Sequence, residues 1–206
     1  MLKNLWKSEI EIFPFNHFFC NSCISSNVTE GILQWLISTN SWKRVNEYFY
    51  DQYEFSLYDA KLPDEILFLK ENFFCDELKS FIENKFDVVL KNKVDIVAHK
   101  LISGDKIKIH NDFIEGQESH RILFHFNKNW KEENGGYFMI FSKDEPESLE
   151  KIIPPLHGSV QGFEISQNSH HAVSQVYDFE RYTIIYSFYR KGNENICFYM
   201  FSFRLE

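Results

Sequence analysis

Lys106-Ile107-Lys108-Ile109-His110-Asn111-Asp112 is the stretch whose reading decides the fold. Its alternation marks a β-strand with Ile107 and Ile109 on one side and Lys106, Lys108 and His110 on the other. Side chains two positions apart on an extended strand share a face, so His110 and Asp112 are placed to hold one metal ion together. A third ligand must come from a distant element. Ser169-His170-His171-Ala172-Val173 supplies the candidate, His171, and the adjacent His170 would face the other way on a strand.

Working outward from that strand, the pattern is β on both sides. Residues 88–90 and 94–102 precede it, separated from it by a Ser103-Gly104-Asp105 turn. Further strands are expected at 120–127, 136–142, 149–153, 160–165, 171–176, 181–190 and 195–204. Their lengths and turn signals suit a two-sheet jelly roll, a double-stranded β-helix in which each sheet buries one face against the other. Lys143-Asp144-Glu145-Pro146-Glu147 reads as an exposed turn. The fold class is therefore α+β, mainly β.

The N-terminal part reads differently. Residues 9–15 form a short strand interrupted at Pro14, and 48–55 is aromatic-rich and extended. Asn27 and Glu30 fit a capping pattern ahead of a helix over 28–39, with Ile32, Leu33, Leu36 and Ile37 at helical spacing. Two more helices are expected, one from Asp64 to Leu69 and one from Asp76 to Asn84. This gives one domain over 1–206, with a mainly helical support over 1–90 and a jelly-roll core over 91–206. The aromatics are read chiefly as core, with Tyr50, Gln52 and Tyr53 in a segment able to fold over the site.

The totals set bounds. The 206 residues suffice for one substantial core, and 44% hydrophobic and 17% aromatic residues argue for a packed globule rather than disorder. A net charge of −8 argues against a general nucleic-acid binder, which needs a basic stripe for phosphates. No apolar run is long enough for a membrane span and the first residues carry charge, so a cytoplasmic protein is expected. The four cysteines are expected as free thiols, with Cys20-Asn21-Ser22-Cys23 as a strand end entering a turn rather than half of a zinc site.

Two imidazoles and a carboxylate on one face of a metal leave coordination positions open, the ligand set of non-haem Fe(II) oxygenases. The order His110-x-Asp112, then His171, then a basic Arg181 ten residues on, resembles the prolyl 4-hydroxylase-like branch of the 2-oxoglutarate/Fe(II) dioxygenases. Phe126-Asn127-Lys128-Asn129-Trp130, followed by Gly135-Gly136-Tyr137-Phe138, is similar to the strand end and restart of that branch. The resemblance is close over roughly residues 95–190 and looser before them.

The resemblance implies that His110, Asp112 and His171 hold Fe(II), His171 being preferred because the family's distal His is followed by x-Val, as in Ala172-Val173. It implies 2-oxoglutarate and O2 as co-substrates, with ascorbate as a candidate reductant. Arg181 would bind the distal carboxylate of 2-oxoglutarate through paired charge-assisted hydrogen bonds. Thr183, on the same side of that strand, would add a hydroxyl, and His125 stands where many members carry Tyr. Asp112 also separates the chain from related halogenases, which carry a small residue there.

The expected reaction is hydroxylation of an unactivated carbon on an amino acid or peptidyl side chain, with release of succinate and CO2. Glu115, Glu118 and Arg121, in the loop after the ligands, are candidates to pair with the substrate's charged ends. The alternative is a non-catalytic jelly-roll module that binds a small ligand in the same pocket. A nucleic-acid demethylase is disfavoured by the acidic balance.

Overall fold

The computed structural model describes residue 2 and residues 4–192. In chain order the elements are β1 (His17–Cys20), α1 (Ser26–Ser38), β2 (Lys43–Asn46), β3 (Asp51–Ser56), α2 (Asn72–Phe86), β4 (Leu90–Leu101), β5 (Ile107–His110), β6 (His120–His125), β7 (Phe138–Phe141), β8 (Leu149–Ile153), β9 (Val160–Glu164), β10 (His171–Val173) and β11 (Arg181–Arg190). A 3-10 helix over Asp64–Lys70 leads into α2.

Two antiparallel sheets face each other. The larger has the order β1-β9-β6-β11-β4-β3-β2 and the smaller β5-β10-β7-β8. Along β11 every residue from Arg181 to Tyr189 is buried, because the large sheet is covered on both faces. Its outward side chains, Ile184, Tyr186 and Phe188, pack with Ile122 and Phe124 of β6 and with Leu78, Phe81 and Ile82 of α2. Its inward Ile185 packs with Leu101, Leu123, Phe138, Phe163 and Val173 between the sheets. The two cores follow from the period of two along each strand. Each fully buried Phe or Ile stabilises the fold by roughly 1.5–3 kcal/mol relative to exposure.

α1 buries Ile32, Leu33 and Leu36 as its spacing requires, but it starts at Ser26 and has Ser25, not Asn27, at its N-cap. Ile37 is 53% exposed. α2 begins four residues before the expected Asp76 and ends at Phe86, where Asp87 turns left-handed with φ 52°. Residues 88–102 form one strand from Leu90 rather than two. In the first 90 residues the helices are joined by three strands. β1 closes one edge of the large sheet and β2 the other, with β3 joining β2 to β4.

Two expectations are overturned here. The strand read over 9–15 is displaced to β1, and only Glu11 of that stretch makes a bridge, to His17. Cys20 and Cys23 are joined by a disulfide rather than free, because the turn through Ser22, at φ 57°, brings their Cα atoms to 6.1 Å. Cys75 is a buried free thiol. The strand expected at 195–204 lies outside the described residues. Among the described residues no helix is long and apolar enough to cross a membrane.

Candidate active site

β5 and β10 pair antiparallel with His110 directly opposite His171, so one register position sets both imidazoles side by side. Their ring centroids are 4.3 Å apart. Asp112 does not reach them by strand alternation. β5 ends at His110, and Asp112 adopts the left-handed conformation with φ 57°, which turns its carboxylate back between the two rings. His110 Nε2 lies 3.3 Å from Asp112 Oδ1, and His171 Nε2 lies 3.1 Å from Asp112 Oδ2. One ligating atom from each of the three falls within 4.8 Å of the others.

Backbone carbonyls set the imidazole tautomers. Nδ1–H of His110 donates to Lys108 O at 2.9 Å, and Nδ1–H of His171 donates to Ser169 O at 2.7 Å. Each Nε2 lone pair is thereby turned towards Asp112, as metal coordination requires. Burial disfavours the charged Asp112, but the Arg121 guanidinium leads the opposing effects and the carboxyl is held well below its usual range. Burial, with His110 alongside, lowers the His171 pKa and favours its neutral form.

Behind this cluster β11 begins with Arg181, which is 3% exposed. Its Nε–H donates to Gly136 O at 2.8 Å and its Nη1–H to Thr183 Oγ1 at 2.9 Å, while Nη2 has no partner among the described residues. Gly136 sits at φ 69°, and a Cβ there would come within 2.9 Å of the Arg181 side chain, so the Gly-Gly restart is what admits the guanidinium. With no counter-charge supplied, burial lowers the Arg181 pKa to about 10. His125, opposite Thr183 in the β6–β11 register, is fully buried, and burial followed by Arg181 keeps its pKa well below the ordinary value. A small cavity of about 50 Å³ joins His110, His171, Arg181 and Thr183.

The structure thus brings His110, His171, Arg181 and Thr183 together around one space, with Asp112 against both imidazoles on its front side and His125 alongside Thr183. Gln161 was not singled out from the sequence. It is 2% exposed on β9, and neither side-chain polar atom has a partner. Its signal was parity: Gln161 shares the inward face with Phe163, an apolar face on which a polar side chain needs a reason.

In front of the cluster a cleft of about 560 Å³ is walled by Tyr48, Phe49, Phe113, Ile114, Glu118 and His170. Phe49 brings its ring 4.7 Å from that of His110, and Tyr50 and Gln52 of the same segment line a cavity that Asp112 and Arg121 also border. The loop reading needs correction. Arg121 is an inward residue of β6, and its guanidinium pairs with Asp112 at 2.5 Å and with Glu118 at 2.7 Å, so Glu118 and Arg121 are committed to each other and not to a substrate's ends.

Residues 96–189 match the model of the 2OG-Fe(II) oxygenase superfamily. The chain is 26% identical over 171 residues to prolyl 3-hydroxylase OGFOD1 of Mus musculus, covering 81% of this chain and 31% of that protein. It thus spans about a third of the length of the curated relatives it matches. A prolyl-4-hydroxylase from Pseudomonas putida superposes with a TM-score of 0.71 at 14% identity, covering 85% of this chain and 93% of that one. A Trichoplax adhaerens prolyl hydroxylase, solved with a hypoxia inducible factor peptide, also gives 0.71, at 15% identity, with 84% and 83% covered. At these identities the structures speak for the fold.

The jelly roll and its His-Asp-His cluster define the class as the 2-oxoglutarate/Fe(II) oxygenases. Residues 96–189 are thus similar to that superfamily, and the relatives and structures named are prolyl hydroxylases. Fe(II), 2-oxoglutarate and O2 are the cofactor and co-substrates that go with the family.

Proposed function

We propose that this chain is a dioxygenase that hydroxylates a carbon of a peptidyl side chain, consuming O2 and 2-oxoglutarate and releasing succinate and CO2. The observation that carries the reading is the pairing of the preset ligand cluster with the unpartnered, buried Nη2 of Arg181 across one cavity. His110, Asp112 and His171 would hold Fe(II) through two Nε2 atoms and one carboxylate oxygen. Two neutral imidazoles and one carboxylate leave one positive charge, which suits an anionic co-substrate. Arg181 Nη2 would donate to the distal carboxylate of 2-oxoglutarate, with the Thr183 hydroxyl and His125 Nε2 beside it.

When bound, Fe(II) supplies the redox chemistry by which one oxygen atom of O2 enters the substrate C–H bond and the other enters succinate. The chain's own part is to exclude water behind the metal, through Leu123, Phe138, Phe163 and Val173, and to hold each Nδ1–H on a backbone carbonyl so that Nε2 is presented to the metal. The cleft in front is open enough for a peptide, and the relatives named as prolyl hydroxylases make a peptidyl proline the first substrate to try.

The test is anaerobic titration with Fe(II) and then 2-oxoglutarate, watching for the visible charge-transfer band of a chelated 2-oxo acid. The band should appear in the wild type and be absent in His171→Ala. Iron binding without the band would reject the co-substrate assignment.

A further inference from the structure

β3 lies before the residues matched by the superfamily model, and it borders a second cavity that the site described above leaves unused. This cavity, of about 220 Å³, is walled by Tyr50, Gln52, Glu54, His99 and Ile107, and it meets the front cleft at Phe49, Asp112 and Arg121. A peptide in the cleft therefore has a side pocket next to the point of reaction.

The lining is short of donors. Gln52 is 2% exposed, and its Nε2–H donates to Glu54 Oε2 at 2.8 Å. An ionised carboxylate accepts only, so this contact fixes which way the amide points. It leaves Gln52 Oε1 buried without a partner. His99 pairs in register with Glu54, and its Nε2 is 3.8 Å from Glu54 Oε2. Burial, with Arg121 and Arg181 nearby, drops the His99 pKa to about 3, so it brings no positive charge to Glu54. The charge of Arg121 is already taken by Asp112 and Glu118. Lys108 turns its ammonium to Tyr48, donating to Tyr48 O at 2.9 Å. The Glu54 carboxylate lines this cavity, Gln52 Oε1 lies buried beside it without a partner among the described residues, and no Lys or Arg of the described residues pairs with Glu54.

We propose that this cavity is a specificity subsite for a basic side chain, a lysine or arginine flanking the residue oxidised at the metal. The proposal rests on the peptidyl hydroxylase reading above. The ammonium or guanidinium would donate to Gln52 Oε1 and Glu54, while its methylene stem passes Phe49 and Tyr50. Asp144 on the cleft and a net charge of −8 favour the approach of such a peptide.

The experiment uses the full chain loaded with Mn(II) and 2-oxoglutarate, and a fluorescent proline-centred peptide set in which one flanking position is lysine, norleucine or glutamate. Anisotropy should show a lysine peptide bound at least about tenfold more tightly than its norleucine twin, with glutamate weaker still. In Glu54→Gln, and separately in Gln52→Leu, the lysine-to-norleucine ratio should fall towards one. Equal binding of the three peptides by the wild type overturns the subsite, as does a ratio unchanged in both variants. With Fe(II) and O2, succinate formed equally from lysine and norleucine peptides sinks the subsite alone. Absence of succinate with every peptide, and of the 2-oxoglutarate charge-transfer band, sinks the hydroxylase reading beneath it.

Discussion

Arg181 and Tyr48 both border the His110–Asp112–His171 cluster through different cavities, one side chain 3% exposed and the other 90% exposed. On the Arg181 side the polar groups are held by the sheets: Gly136 O and Thr183 fix the guanidinium, and Leu123, Phe138 and Phe163 close the space. On the Tyr48 side the walls are loop residues, Phe49, Phe113 and Ile114, with few fixed contacts. The contrast fits a small co-substrate of constant shape on one side and a larger, variable partner on the other.

The sharpest way to break this contrast is to remove what both sides share. His171→Ala should lower Fe(II) affinity by more than about 100-fold and abolish turnover, checked by metal titration and succinate assay. Arg181→Met tests the closed side alone. It should weaken 2-oxoglutarate by roughly 10- to 100-fold, the worth of one or two charge-assisted hydrogen bonds, while Fe(II) still binds. Isothermal titration separates the two, and equal 2-oxoglutarate affinity in the variant would remove Arg181 from its role.

The helix-facing side of the large sheet should be sensitive to acid. His120 starts β6, fully buried against Phe86, and burial, with Arg190 next, drops its pKa to about 3. The unfolded chain then binds a proton that the folded chain refuses. Stability is complete above the ordinary value near 6.5 and falls as pH drops from there towards 3. Each such histidine contributes a slope of about 1.4 kcal/mol per pH unit, and His120→Phe should remove one such slope from denaturant melts at pH 6 and pH 5. The smallest effect is expected on the open side. Tyr48→Ala should change stability by under about 0.5 kcal/mol and peptide affinity by no more than about 1 kcal/mol, measured by urea melts and anisotropy.

Much of both sheets was legible from runs of β-forming residues bounded by turn signals, and β8 of the small sheet falls on the residues read for it. β2 was missed because Lys43-Arg44-Val45-Asn46 is an edge strand with little buried side chain and hence no apolar alternation. The approach of His110 and Asp112 was legible from their spacing, but not the left-handed turn at Asp112 that produces it. Nor could spacing show that Arg121, at the junction of the loop and the strand read over 120–127, turns inward and pairs with Asp112. The turn after Cys20 was expected, but not the left-handed Ser22 that brings Cys20 and Cys23 within reach of a disulfide. Gln161 was legible only once Phe163 was known to face inward.

β11 divides its labour by parity. Arg181 and Thr183 face the cavity between the sheets, whereas Ile184, Tyr186 and Phe188 face the helices. A saturation scan of this one strand, scored separately for abundance and for catalysis, should therefore show two interleaved combs. Even positions would lose the protein itself, and the first odd ones would lose only its chemistry. Such a strand can be retuned for new reactivity one tooth at a time while the scaffold's side of the comb stays untouched.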